Sequence, residues 1–228
     1  MVDKRIIAFY LPQYHPFPEN DEWWGKGFTE WRNVVKARPL YRGHYQPHLP
    51  ADLGFYDLRV PEVRQQQADM ARMYGINGFC YYHYWFNGHQ LMERPLEEML
   101  SFMLCWANEN WTRAWDGGSR HILIAQNYSE EDDRAHIRYL LDNVFSDSRY
   151  IRVDGKPVFL IYRSMLFPNM KETIRVWREE ASSKGVELYL CRVETMDCYG
   201  EEYLQDGFDA AVEFQPFTHQ MNEFQKKR

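Results

Sequence analysis

Apolar positions along the chain follow two rhythms in alternation. Short, dense apolar runs at residues 5–11, 76–82, 102–106, 157–162, 187–192 and 210–214 predict six strands. Between them, apolar positions recurring every three or four residues predict helices over 60–74, 94–100, 130–147 and 169–184, with a short helical piece at 201–205. Val63, Met70, Ala71 and Tyr74 form the expected apolar face of the first helix, and Gly75 ends it. Ser129 as N-cap, with acidic residues behind it, marks the start of the third. Residues 122–125 add a short candidate strand, and Asp154-Gly155 marks a tight turn.

Strand and helix in this alternation make parallel βαβ units, which suit an open doubly wound sheet or most of an eight-stranded barrel. Where the polar residues gather separates the two. A stretch over 12–59 rich in Pro, Gly, Trp and His follows the first strand, polar and aromatic loops at 83–88 and 107–121 follow the next two, and shorter polar ends close the fifth and sixth. An open sheet concentrates ligand residues at one switch point, whereas loaded ends on strand after strand fit a barrel mouth. The expectation is an α/β fold, a (β/α)₈ TIM barrel with about six of its eight βα units present, as one domain over 1–228. The remaining units are expected past Arg228.

At 228 residues and 45% hydrophobic content the chain buries a core of its own. A net charge of −6 with scattered cations gives no footprint for phosphates, so nucleic acid is not expected as a partner. Cys80, Cys105 and Cys191 fall in apolar runs and Cys198 in a polar loop, which reads as reduced thiols rather than a disulfide framework or zinc site. The start of the chain lacks the pattern of a secretory signal, and no apolar run approaches the ~20 residues of a membrane span, so a cytoplasmic protein is expected.

Aromatic residues make up 17% of the chain, many of them in polar loop-like stretches where a core would not place them. Sugar chemistry uses such surroundings: indole faces stack on sugar C–H surfaces, and amides and carboxylates bind hydroxyls. Cleavage or transfer at a glycosidic bond needs one carboxylate to stabilise an oxocarbenium-like state and a second carboxyl to move a proton. The segment Trp106-Ala107-Asn108-Glu109-Asn110-Trp111 places one acid between amides and indoles directly after a strand. In an ordinary structural loop Glu109 would instead pair with Arg113. Glu30 and Trp31 sit in a second aromatic cluster that could equally pack on itself. Tyr10, Gln13 and His15, after the first strand, and His83, Tyr84 and Trp85, after the second, are expected to face the same mouth, so that Glu30, His83 and Glu109 converge on one rim. Glu194 and Glu213 are further acids at strand ends. His44 and His48 have loose metal-pair spacing, but Pro47 between them and the lack of a third ligand argue against metal. Phosphate-loop, dinucleotide, Asp-x-Asp and G-x-S-x-G signatures are missing, and neither cofactor nor metal is expected.

The segments Ala8-Phe9-Tyr10-Leu11-Pro12-Gln13-Tyr14-His15, Gly27-Phe28-Thr29-Glu30-Trp31, Gly78-Phe79-Cys80-Tyr81-Tyr82-His83-Tyr84-Trp85-Phe86 and Trp106-Ala107-Asn108-Glu109-Asn110-Trp111 strongly resemble the glycoside hydrolase family 99-like proteins of the WbsX type. The resemblance spans nearly the whole chain. It implies a (β/α)₈ barrel acting without metal on a bacterial surface polysaccharide, such as O-antigen or lipopolysaccharide, either by retaining endo-α-mannosidase-like hydrolysis or as a glycosyltransferase. A non-catalytic carbohydrate-binding protein is the third reading. The resembling family carries a Trp-Asn-Glu-Trp-Ala-Glu-Gly motif near a later strand, so the resemblance puts the main acid pair beyond Arg228 and leaves Glu109 an assisting role. Tyr10, Gln13, Glu30, Trp31, His83, Tyr84, Trp85, Trp106, Asn108, Asn110 and Trp111 are the expected sugar-binding residues.

Overall fold

The computed structural model of the protein describes residues 4–92, 100–113, 118–194, 199–201 and 203–214. The chain opens with strand β1 (Ile7–Tyr10), then two short helices, α1 (Pro18–Trp24) and α2 (Trp31–Val34), inside the long excursion that precedes α3 (Pro61–Met73). Strand β2 (Gly78–Phe86) turns through Asn87-Gly88 into β3 (His89–Leu91), and β4 (Ser101–Trp106) is followed by a hairpin of β5 (Trp111–Arg113) and β6 (Gly118–Ile124). Helix α4 (Glu130–Asn143), the hairpin of β7 (Arg152–Val153) and β8 (Lys156–Ile161), α5 (Met170–Ser183), β9 (Tyr189–Glu194), α6 (Tyr203–Asp206) and β10 (Ala210–Glu213) complete it. The expected helix over 94–100 and Cys198 lie outside the described residues.

Strands β1, β2, β4, β8, β9 and β10 form one parallel sheet in that order. The sheet curls as the six-stranded part of a barrel, as the alternating rhythm predicts. Side chains alternate across each strand, so the sheet has two unlike faces. One face meets the helices: Tyr81, Leu104, Phe159 and Leu190, in register across four strands, pack with Ile137 and Leu140 of α4 and Ile174 and Trp177 of α5. The other looks into the barrel and carries Cys80, Cys105, Leu160, Cys191 and Val193, with Tyr82 and Tyr162 packed against them. The three thiols are buried and free. No helix among the described residues is long and apolar enough to cross a membrane.

The helices begin where local chemistry directs. The Ser129 hydroxyl accepts from the Asp132 amide at 3.1 Å, and the Asn169 side chain accepts from the Glu172 amide at 3.2 Å, each satisfying an orphan donor of a first turn. Helix α3 departs from expectation in its buried face. Arg64, Gln67, Ala68 and Ala71 point inward while Tyr74 lies exposed, because Gln67 accepts from the Tyr10 hydroxyl at 2.5 Å and Arg64 donates to the Leu58 carbonyl at 2.8 Å. Two satisfied polar groups there outweigh the apolar periodicity.

Strand β2 departs more consequentially. It runs four residues past the expected end at 82, and Asn87 and Gly88, both at positive φ, make the tight turn that returns it as β3. His83, Tyr84 and Trp85 therefore obey strand alternation and point to opposite faces in turn.

At the start of β2, Gly78 leaves no space for a side chain. A Cβ would stand 2.4 Å from the Ser101 carbonyl oxygen and 3.0 Å from Ile151 Cδ1, and the backbone oxygen belongs to the adjacent strand. Gly78→Ala in the full-length protein should cost about 1–3 kcal/mol of stability, read as a lower urea midpoint with an unchanged slope. An unchanged midpoint would mean that β2 and β4 do not approach this closely.

Candidate functional site

Parallel strands deliver their C-terminal ends to one rim, and the residues leaving those ends build a cleft there. Leu11 and Gln13 follow β1, Tyr82 and Tyr84 project inward from β2, Ala107, Glu109, Asn110, Trp111 and Thr112 follow β4, and Tyr162 follows β8. Together they enclose about 360 Å³. A space of that size, walled by phenol and indole rings and offering the polar groups of Gln13, Glu109, Asn110 and Thr112, suits a small polar ligand or one segment of a chain.

Glu109 is the charged group of the cleft. Its Oε1 lies 2.6 Å from Nη1 of Arg163, 54 residues on in sequence and just past β8, and this replaces the Arg113 pairing considered above. Arg113 instead donates to the Trp23 carbonyl and lies over the Trp24 ring. Tyr84 accepts from Gln13 Nε2 at 3.2 Å, and its hydroxyl is pushed well above the usual range by burial, with smaller contributions from the charges of Glu30 and Glu109. Burial and Glu109 likewise raise Tyr162. Trp111 packs on Tyr84 at 4.9 Å between ring centroids and on Trp23 at 5.8 Å, which braces the indole at the cleft wall.

Of the expected sugar-binding residues, Gln13, Tyr84, Asn110 and Trp111 come together in this cleft, beside Glu109 with its expected assisting role. Asn110 also anchors the loop, its Oδ1 accepting from the Gln126 amide at 2.7 Å. The others lie elsewhere, for reasons of strand alternation and packing. Tyr10 points to α3, where it meets Gln67. His83 and Trp85 point into the layer beneath α4: His83 Nε2 is 2.9 Å from His136 Nε2, and Trp85 donates to Asp132 at 3.0 Å. Burial lowers the His83 imidazole to about 3 and holds His136 down as well, so one neutral ring donates to the other. Trp106, buried with Trp177 and Phe167 around it, belongs to the same layer. Asn108 is fully buried and clamps two loops, donating to Tyr128 Oη and the Arg163 carbonyl and accepting from the Arg163 amide. Trp31 donates to the Tyr56 carbonyl and packs among Tyr14, Phe55 and Tyr56. The single rim shared by Glu30, His83 and Glu109 is thus corrected: His83 faces the helices. His15 lies by Phe17 and His89, away from the cleft. Glu194 accepts from the Gly200 amide, and Glu213 is exposed on β10. Among the described residues no three His, Cys, Asp or Glu side chains gather as a metal site requires.

Comparison with known proteins follows the same lines. The pattern of the family described as glycosyltransferase WbsX matches residues 6–228. The chain belongs to the WbsX glycosyltransferase family. The uncharacterized protein WxcX of Xanthomonas campestris pv. campestris, in strains B100 and ATCC 33913, is 47% identical over 219 residues. That match takes in 92% of this chain and 31% of WxcX, so the chain spans 31% of the length of these curated relatives. Among solved structures, the family 99 endo-α-mannosidase of Bacteroides thetaiotaomicron in complex with bis-tris-propane superposes with a TM-score of 0.56 at 16% identity, over 100% of this chain and 67% of that one. A second structure of a family 99 endo-α-mannosidase from that organism gives 0.56 at 14% identity, covering 69% of it, and a protein described as glycoside hydrolase-like gives 0.56 at 12%, covering 65%. At such identities the likeness is one of fold, and that fold is a barrel larger than the described part of this WbsX-family chain.

Sequence reasoning misses Tyr82, Tyr162, Leu11, Ala107 and Thr112 as cleft residues. For Tyr82 a signal exists: it stands two positions before Tyr84 on one strand and must share its face. Glu30, an expected sugar-binding residue, is absent from the cleft lining, and its environment sets it apart. It is 5% exposed, its Oε2 is buried without a hydrogen-bond partner, and burial pushes its carboxyl up to about 7. Ionising Glu30 therefore costs the folded state, and its contribution to stability falls as pH rises through about 7. Glu30→Gln should leave stability unchanged below about pH 4 and raise it above pH 7, and an infrared carboxylic acid band that titrates near pH 7 in the wild type should vanish in the variant. A Glu30 carboxylate already formed at pH 5 would contradict this.

Proposed function

We propose that this WbsX-family protein acts on a polysaccharide, binding a stretch of glycan in the cleft between Tyr82, Tyr84, Trp111 and Tyr162 and taking part in glycosidic bond chemistry of the family 99 type. The observation that carries the reading is one carboxylate, Glu109, set among stacking aromatic faces at the C-terminal ends of parallel strands, the end at which barrel enzymes carry their sites. The fold likeness to endo-α-mannosidases makes an α-mannoside the first substrate to try. Arg163 orients Glu109 through a 2.6 Å contact, which leaves its second oxygen to accept hydrogen bonds from sugar hydroxyls. Gln13 and Asn110 offer further polar contacts at the same wall. In this reading the main acid pair belongs to the remainder of the whole protein, the substrate is a bacterial surface polysaccharide, and the three free buried thiols fit a reducing compartment such as the cytoplasm.

The family description favours a second reading, sugar transfer from an activated donor. Release of nucleotide when the full-length protein is incubated with nucleotide sugars separates transfer from hydrolysis, and binding without either reaction marks a carbohydrate-binding protein.

Glu109→Gln in the full-length protein should weaken binding of an α-mannan oligosaccharide by roughly 1.5–3 kcal/mol, at least tenfold, because a charge-assisted acceptor is lost. Calorimetric titration measures the affinity and reducing-end release the turnover. Wild-type values for both would remove Glu109 from the site.

A further inference from the structure

The excursion between β1 and α3 carries a feature that the cleft does not use. The chain leaves the body at Tyr14 and returns at Leu58, whose amide donates to the Tyr14 carbonyl at 3.1 Å, so residues 15–57 form a closed arm rooted beside Gln13 on the cleft rim. The outer part of this arm is apolar and aromatic yet exposed. Leu40 is 84% exposed, Tyr41 68% and Tyr45 69%. Exposed apolar surface gathered in one place marks a binding surface more often than an accident.

The rings are held rather than loose. His44 donates its amide to the Tyr41 carbonyl at 3.1 Å, with Gly43 at φ 86° completing the turn, and the Tyr41 ring lies parallel to the His44 ring at 4.6 Å and 7°. The Leu40 amide donates to His44 Nδ1 at 3.1 Å, which places the imidazole proton on Nε2. Four residues on, Tyr45 and His48 meet edge to face at 4.7 Å. Two tyrosine–histidine pairs thus stand at the surface, each with an apolar face and a polar tip.

Charge separates from the rest of the chain in the same place. Between residues 35 and 55 the cations Lys36, Arg38 and Arg42 are exposed, and Asp52 is the sole carboxylate of that stretch, in a protein of net charge −6. Arg38 donates to the carbonyls of Val35 and Ala37, and none of the three cations has a carboxylate partner among the described residues.

We propose that this arm is a second glycan-binding surface that takes an anionic polysaccharide, one bearing uronic acid carboxylates. Tyr41 and Tyr45 stack on sugar faces, the His44 Nε2–H and the tyrosine hydroxyls donate to sugar oxygens, and the guanidinium groups of Arg38 and Arg42 meet carboxylates in the paired geometry that a planar fork favours. The proposal rests on the reading of the cleft as a sugar site and adds the charge of the polymer that reaches it. Rings carrying hydroxyl and imidazole groups favour polysaccharide over a lipid surface.

Affinity electrophoresis of the full-length protein in gels containing polygalacturonate, and separately dextran, tests the proposal, alongside sedimentation with phosphatidylglycerol vesicles. Retention by polygalacturonate and not by dextran is expected, weakening as salt rises. Arg38→Gln with Arg42→Gln, and independently Tyr41→Ala with Tyr45→Ala, should each lower the apparent affinity about fivefold or more without moving the melting temperature, since these side chains are exposed. The two arm double variants should keep the wild-type affinity for the neutral α-mannan oligosaccharide in calorimetric titration, which separates failure of the arm from failure of the cleft. Equal retention of wild type and both double variants, retention by vesicles alone, or a change of oligomeric state as the sole effect of the substitutions would overturn it.

Discussion

A strand reverses its side chains at every residue, and in a barrel one side is the lumen and the other a dry layer under helices. That alternation governs the site of this protein. Tyr82 and Tyr84 look into the cleft because they share a parity, and His83 and Trp85, between and beyond them, are committed to α4 by the same rule. The register of β2 with β4 carries the pattern across, pairing His83 with Trp106 on the helix side. A shift of one residue in β2 would exchange the whole set, removing the phenols from the cleft and placing a histidine and an indole there instead.

The two faces impose different chemistry. Under α4 there is no water to solvate charge, so His83 and His136 stay neutral and bond to each other, and Asp133 is pushed up to about 6 by burial while accepting from Thr173. At the mouth, Glu109 pairs with Arg163 and keeps nearly half its side chain in solvent. Glu30 is buried, with no cation paired to it among the described residues. Burial raises the Tyr84 hydroxyl, and the charges of Glu30 and Glu109 add smaller increments. Separating two acids by environment is how carboxyls of the same intrinsic strength take different roles.

Much of the architecture is legible along the chain because apolar periodicity is local: α5 ends within one residue of expectation at each side, and the capping residues Ser129 and Asn169 work as their types suggest. Parity is less legible. His83, Tyr84 and Trp85 each combine an apolar body with a polar tip, so no alternation of polar and apolar residues announces which face each takes, and the turn at Asn87-Gly88 is the local sign that the strand continues. Partners distant in sequence are not legible at all. Arg163 holds Glu109 across 54 residues, and Gln67 is drawn inward by Tyr10 across 57. Strand β9 sits two residues later than its apolar run predicts, since pairing with β8 and β10 sets its ends.

The division of aromatic residues between lumen and helix layer is the claim on which the functional reading stands. Fluorine NMR of the full-length protein labelled with 5-fluorotryptophan, titrated with an α-mannan oligosaccharide, addresses it directly. The Trp111 resonance should shift on saturation while those of Trp85 and Trp106 hold their positions. Movement of Trp85 or Trp106 with Trp111 unchanged would contradict the account.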